Sequence, residues 1–158
     1  MQSLIVTSRA HVEGALGLAL ITQTWRMTLD QWPANGIVEI GIAPVKAVTA
    51  VRARMIGAAA IALPLPGFAV DLGLRPARIA LRPGTVPLTT EPIGGIEIDL
   101  SAGYGVAPTD VPAPIRQALL LLVSHWYETR EPALFGHEAT HIPYTVSDLL
   151  HPYRQVRL

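Results

Sequence analysis

Val111 to Arg130, VPAPIRQALLLLVSHWYETR, is the longest uninterrupted helical pattern in the chain, and it sets what the rest must cover. Pro112 and Pro114 fit a first helical turn, where a missing N–H removes no intrahelical hydrogen bond. Glu131-Pro132 marks the stop, because the residue before a proline is biased out of the helical region. Ile115, Leu119, Leu122 and Trp126 recur at helical spacing along one face. Leu120, Val123 and Tyr127 form a second apolar stripe, which leaves Gln117, Ser124 and Glu128 as the polar strip. A helix apolar over most of its circumference needs cover on several sides. In a chain of 158 residues, part of that cover is expected from another subunit.

Composition narrows the function classes. Twelve basic residues balance twelve acidic ones and only 15% of residues are charged, so no general attraction to nucleic acid or anionic membrane follows. There is no cysteine, which removes disulfides, thiolate metal sites and a cysteine nucleophile. The first residues lack a signal-peptide pattern, since Arg9 and His11 interrupt a mildly apolar start. The longest uncharged run, Met55 to Val70, is broken by Pro64, Pro66 and Gly67, and a membrane span needs ~20 apolar residues.

Along the chain, Met1 to about Ala19 reads as a helix on Leu4, Ile5, Ser8, His11, Val12, Ala15 and Leu16. From Ile21 the period becomes two, with Ile21, Trp25, Met27 and Leu29 opposed to Thr22, Thr24, Arg26, Thr28 and Asp30. Further strands read at Ile37 to Ile42, Val45 to Met55, Phe68 to Leu72, Ala77 to Arg82 and Ile96 to Ser101, with Ala60 to Leu63 pairing back on the third as a hairpin. Gly103-Tyr104-Gly105 turns the chain into the long helix. A short helix follows, with Thr145 as its cap and Asp148 three positions on. Strands grouped between helices define an α+β chain. The expected architecture is a helical core (N-terminal, long and short C-terminal helices) carrying an inserted antiparallel β region of about six short strands at about residues 20–108, all in one domain over 1–158.

The sharpest enzymatic lead is His137-Glu138-Ala139-Thr140-His141, which matches H-E-x-x-H. On a helix, two histidines four apart can hold zinc, with the glutamate as general base. Gly136 and Pro143 leave that helix barely two turns, and only Asp148 and His151 remain as a third ligand, so a surface loop is the favoured reading, with at most incidental metal binding. His125 has no nucleophile or orienting carboxylate placed near it, and reads as a helix-surface or interface histidine. Glu97 and Asp99 share one strand face, where acid–base work competes with the commoner reading of a wet strand face. Arg52 with Arg54, and Arg78 with Arg82, also share faces, either against phosphate or an acidic partner, or simply in solvent. The stretch from Ile56 to Phe68, IGAAAIALPLPGF, carries no charge, whereas a hairpin tip in a monomer is normally polar. It must fold inward or be covered by another chain.

Three segments carry a resemblance: ALITQTWRMTLDQWP (Ala19 to Pro33), DLSAGYGVAPTDVPAPIRQALLLLVSHWYETRE (Asp99 to Glu131) and IPYTVSDLLHPYRQVRL (Ile142 to Leu158). Together they resemble phage head–tail connector (adaptor) proteins, including those of gene transfer agents, in order over nearly the whole chain. Members of that family usually carry a further helix upstream of the residues matching Ser3 to Gly17. The resemblance implies a non-enzymatic virion component with no catalytic residues, no metal and no cofactor, assembled in the bacterial cytoplasm. It implies a ring, usually dodecameric, beneath the portal, extending the channel for double-stranded DNA and docking the next neck (stopper) protein, with no sequence-specific DNA binding and no membrane. It further implies that the C-terminal segment contacts the portal, with Tyr144, Leu149, Leu150, Tyr153, Arg154 and Arg157 as candidates, and that removing Tyr144 to Leu158 leaves a folded protein. Leu120, Val123 and Tyr127 are the candidate subunit interface. The alternatives are another neck component, a stopper or tail terminator, and a small zinc hydrolase using His137, Glu138 and His141.

Overall fold

The computed structural model describes residues 2–84, 90–128 and 143–154. Among the described residues, three helices and seven strands run as a helix, then all the strands, then two helices, which is the expected α+β order with seven strands instead of about six. Helix α1 spans Gln2–Leu16 and stops three residues short of the expected Ala19. The reason is Gly17, whose φ of 64° is a left-handed conformation that favours glycine. The N–H of Leu18 then reaches back to the Glu13 carbonyl at 3.0 Å, and the Glu13 side chain accepts the N–H of Leu20 at 2.9 Å. Leu18, Ala19 and Leu20 are thereby drawn into the core as extended chain.

The strands form two antiparallel sheets. Strands β1 (Gln23–Leu29), β3 (Val45–Arg54), β4 (Ala60–Leu63) and β7 (Ile96–Ala102) make a four-stranded sheet in the order β1-β7-β3-β4. Strands β2 (Ile37–Ile40), β5 (Phe68–Asp71) and β6 (Ala77–Leu81) make a three-stranded sheet in the order β2-β6-β5. Alternation explains their burial: Val38, Phe68 and Ile79 of the small sheet share a hydrophobic cluster with Val51, Ile96 and Ile98 of the large one. The expected hairpin of Ala60 to Leu63 is present, Val51 lying opposite Leu63 and Arg54 opposite Ala60. Ile21 lies outside β1, in a bridge with Gly105, and β2 ends at Ile40, two residues before the expected Ile42.

Helix α2 spans Ala113–Glu128, after a 3₁₀ turn at Pro108–Asp110. The helix starts two residues later than the sequence implies, because the Pro112 carbonyl already accepts the N–H groups of Ile115 and Arg116 from a capping position. Residues 129 and 130 lie outside the described residues. Ile115, Ala118 and Leu122 are fully buried, packed with Val12 and Leu16 of α1 and with Val146 and Leu150 of helix α3 (Tyr144–Leu150). Helix α3 begins one residue earlier than expected. Pro143, whose carbonyl accepts the N–H of Val146 at 2.9 Å, caps it, so Thr145 lies inside the first turn. Among the described residues, no helix is long and apolar enough to cross a membrane.

Candidate functional site

The helical core and the strands meet at the Gly103-Tyr104-Gly105 turn. The Pro44 carbonyl accepts the Gly103 N–H (2.9 Å), the Gly105 carbonyl accepts the Thr22 N–H (2.7 Å), and the Leu20 carbonyl accepts the Tyr104 N–H (3.3 Å). Tyr104 packs on the helical cluster, and burial raises the pKa of its hydroxyl against an opposing pull from Arg75. Gly103 has φ 135° and lies against the backbone of Ile21 and Thr22. Gly105 is needed for a different reason, since a side chain there would run into Asp110. Asp110 in turn accepts the Ala107 N–H at 2.9 Å and shapes the turn into α2.

The face of the large sheet turned away from the small one carries an ion-pair ladder. Arg26 grips Asp99 through Nε and Nη2 at 2.7 and 3.2 Å, and its Nη1 lies 3.3 Å from Glu97. Arg54 donates to Glu97 at 2.8 Å, and Arg52 donates to Asp99. Glu97 and Asp99 are therefore buried under guanidinium groups, which overturns their reading as a wet strand face. Arg52 and Arg54 remain partly in solvent, as the solvated-face reading had it, but each is paired with a carboxylate of β7. Three guanidiniums against two carboxylates leave one net positive charge on this face. Arg78 pairs with Asp71 at 3.3 Å, and Arg82 donates to the Phe68 carbonyl at 3.1 Å.

The hydrogen bond from Arg26, the largest cause, holds the Asp99 carboxyl at a pKa of about 2, below its ordinary 3.8. A depressed folded-state pKa means that the carboxylate's stabilising contribution is complete above about pH 4 and is lost as pH falls toward 2. Asp99→Asn is expected to lower stability at neutral pH by about 1–2 kcal/mol, less than a fully buried pair because the guanidiniums face solvent. It should also flatten the loss between pH 4 and pH 2, which urea unfolding at a series of pH values measures.

Exposed apolar side chains are spread over several elements, among them Trp25, Ile37, Val70, Ile93 and Val106, and two further groups lie at the helices and at the hairpin. At the helical end, Leu120 is 65% exposed and Tyr144 is 87% exposed, joined by Ile5 and Val6 on α1. Tyr127 is about half exposed and Val123 partly buried, so the second stripe of α2 is uncovered over part of its length within the subunit. At the strand end, Ile56, Ile61 and Leu65 are exposed, so the uncharged hairpin does not fold inward, although Phe68 at its close is buried.

The C-terminal candidates divide. Tyr144 and Arg154 are exposed, and Leu149 and Tyr153 are partly buried against the helical core. Leu150 is only 8% exposed and packs inside the subunit with Val146. Removing Tyr144 to Leu158 would strip both from the core, so that truncation cannot be expected to leave a folded protein. Arg157 and the His137-Glu138-Ala139-Thr140-His141 segment lie outside the described residues. Among the described residues, no group of three or more His, Asp or Glu side chains could hold a metal ion. A cleft of about 130 Å³ between the three helices is lined by His11, Leu16, Leu122, Ser147, Leu150 and Arg154 among others. Its ionisable lining groups are His11 and Arg154, with Ser147 as a hydroxyl and no carboxylate, and the His11 ring stands edge-on to Trp126 at 5.8 Å.

No protein-family model matches the chain, and no curated protein matches it. Solved structures do. A chain in the neck of a native gene transfer agent (GTA) particle, computed with C12 symmetry, is 28% identical with a TM-score of 0.82, covering 99% of this chain and 82% of that one. A chain in the neck of an empty GTA particle, computed with C6 symmetry, is 29% identical with a TM-score of 0.80, covering 99% of this chain and 77% of that one. A chain in the virion of a native GTA particle is 28% identical with a TM-score of 0.81, with the same coverages of 99% and 77%. This chain therefore shares its whole described fold with chains of GTA particles.

Proposed function

We propose that the protein is a structural neck component of a gene transfer agent or phage particle, and specifically its head–tail adaptor. The observation that carries this reading is the likeness over 99% of the chain to a chain of a GTA neck computed with C12 symmetry. In this reading, twelve copies form a ring beneath the portal that lines the DNA path and docks the next neck protein. We take the β region as an insertion in one adaptor domain, because the Gly103 turn bonds it to both ends of the helical core. The exposed apolar surface supports the ring. A cyclic assembly joins unlike surfaces head to tail, so each subunit needs surface for two different neighbour contacts, and exposed apolar side chains on several elements leave it. The balanced charge suits a channel that passes DNA without holding it. The likeness to chains of GTA particles supports a non-enzymatic role. The portal contact falls to the exposed Tyr144 and Arg154, with Leu149 and Tyr153 beside them and Leu150 holding α3 in place.

Electron microscopy of the purified protein with its portal tests the reading. A ring bound beneath the portal is expected, and a protein that never binds portal would refute it. Tyr144→Ser with Arg154→Glu should cut portal binding at least tenfold while leaving thermal unfolding within about 2 °C of the parent, since surface changes usually cost under 0.5 kcal/mol. Unchanged binding to immobilised portal would remove these two residues from the contact.

A further inference from the structure

We infer that adjacent subunits join by strand addition, the open edge of β4 pairing with the open edge of β1 in the next copy, so that the four-stranded sheets continue around the ring. The inference rests on the ring reading above. Strand β4 is the last strand of its sheet, and among the described residues no strand pairs with its outer edge. A sheet edge presents unpaired N–H and C=O groups, which proteins usually guard with charge, and Ile56 to Phe68 contains none. Strand β1 is the opposite edge of the same sheet, equally unpaired on its outer side.

The two edges fit each other in direction and in face. All neighbours in the sheet are antiparallel, and there are four of them, so β1 and β4 run in opposite directions. Rotation of a copy about an axis along the strands therefore sets β4 antiparallel to the next β1, continuing the ladder. The side chains agree with this. Ile61 and Leu63 lie opposite the buried Ala53 and Val51, on the face turned toward the small sheet. Trp25 and Met27 lie opposite Leu100 and Ile98, on that same face. Ile61 is 44% exposed and Trp25 41% exposed, each at its own end of the sheet. Joining the edges sets apolar beside apolar on the inner face, and Ala60 and Ala62 beside Thr24 and Thr28 on the outer, with the ladder residue Arg26 between those threonines. Main-chain bonds supply the affinity of such a contact and alternate side chains its register.

The absence of native cysteine makes the test direct. Ala62→Cys is combined with Thr24→Cys, and separately with Thr28→Cys, to bracket the register, and assembled necks are oxidised and run on denaturing gels. A disulfide needs Cα atoms about 4.4–6.8 Å apart, a spacing that neighbouring strands provide. One of the pairs is expected to give a ladder of covalent multimers that neither single-cysteine variant gives. Ile61→Lys, which charges the edge at an exposed position, should reduce ring assembly at least tenfold with an unchanged melting temperature. Normal rings that cross-link with neither pair and tolerate Ile61→Lys would overturn strand addition and leave the adaptor ring standing. Absence of any ring in the parent protein would instead defeat the adaptor reading itself.

Discussion

Gly103→Ala should destabilise the protein by about 3 kcal/mol, a substantial part of the stability of a domain this size. Two separate costs add. The backbone sits at φ 135°, where side chains are strained, and a methyl group would lie 2.5 Å from the Thr22 nitrogen and 2.6 Å from the Ile21 carbonyl carbon and oxygen. Neither neighbour can yield easily, because both are backbone and the adjoining residues carry the bonds from Thr22 to Gly105 and from Tyr104 to Leu20. Denaturant unfolding of the variant gives the magnitude. Gly36→Ala is the control, since that glycine also has positive φ (71°) but open space around it, so it carries the conformational cost without the collision. A Gly103 variant no worse than the Gly36 variant would show that the junction gives way.

Leu122→Ala is expected to cost about 3–4 kcal/mol, within the range for a fully buried leucine whose neighbours cannot collapse into the space. Leu122 is fully buried where α1, α2 and α3 meet, against Val12, Leu16, Val146 and Leu150. Two residues away, Leu120 points out of the same helix at 65% exposure. Leu120→Asp should therefore move the melting temperature by under 3 °C, while reducing assembly if that face meets a neighbour in the ring. The two substitutions separate the faces of α2: one sets the stability of the subunit, the other its association. Equal destabilisation by both in calorimetry would contradict the division.

Much of this was readable along the chain, and what was not has a common cause. The helix faces followed from spacing: Ile115 and Leu122 are buried, and Leu119 and Trp126 pack at the margin of the same cluster. The strands followed from alternation, as Val38 and Ile40 show. Glu97 and Asp99 misled because alternation of charge with isoleucine marks a face without saying what covers it. Their partners are 43 to 73 residues away in sequence, brought near because β7, the last strand, inserts between β1 and β3. Long-range pairing leaves no local signal. The strict glycine at 103 was visible only as a turn residue, since its real constraint is the backbone of Ile21 and Thr22 lying against it. The last helix lies in the helical core, as expected. It was also expected to be removable as a portal segment, yet Val146 and Leu150 complete a core whose other walls lie far back in the chain.

For the candidate site, the uncharged hairpin and the second stripe of α2 were both legible as surfaces in need of cover, since hydrophobicity at exposed periodic positions is a local property. Which partner covers which surface was not legible, because complementarity belongs to two surfaces at once. The likeness to neck chains supplies the frame in which those surfaces are proposed as contacts between subunits.

Native mass spectrometry of the protein mixed with its portal tests the adaptor assignment most directly. The account predicts a complex in which twelve copies sit on one portal ring, with little stable complex at other stoichiometries. A strictly monomeric protein that leaves the portal mass unchanged at every ratio would contradict it.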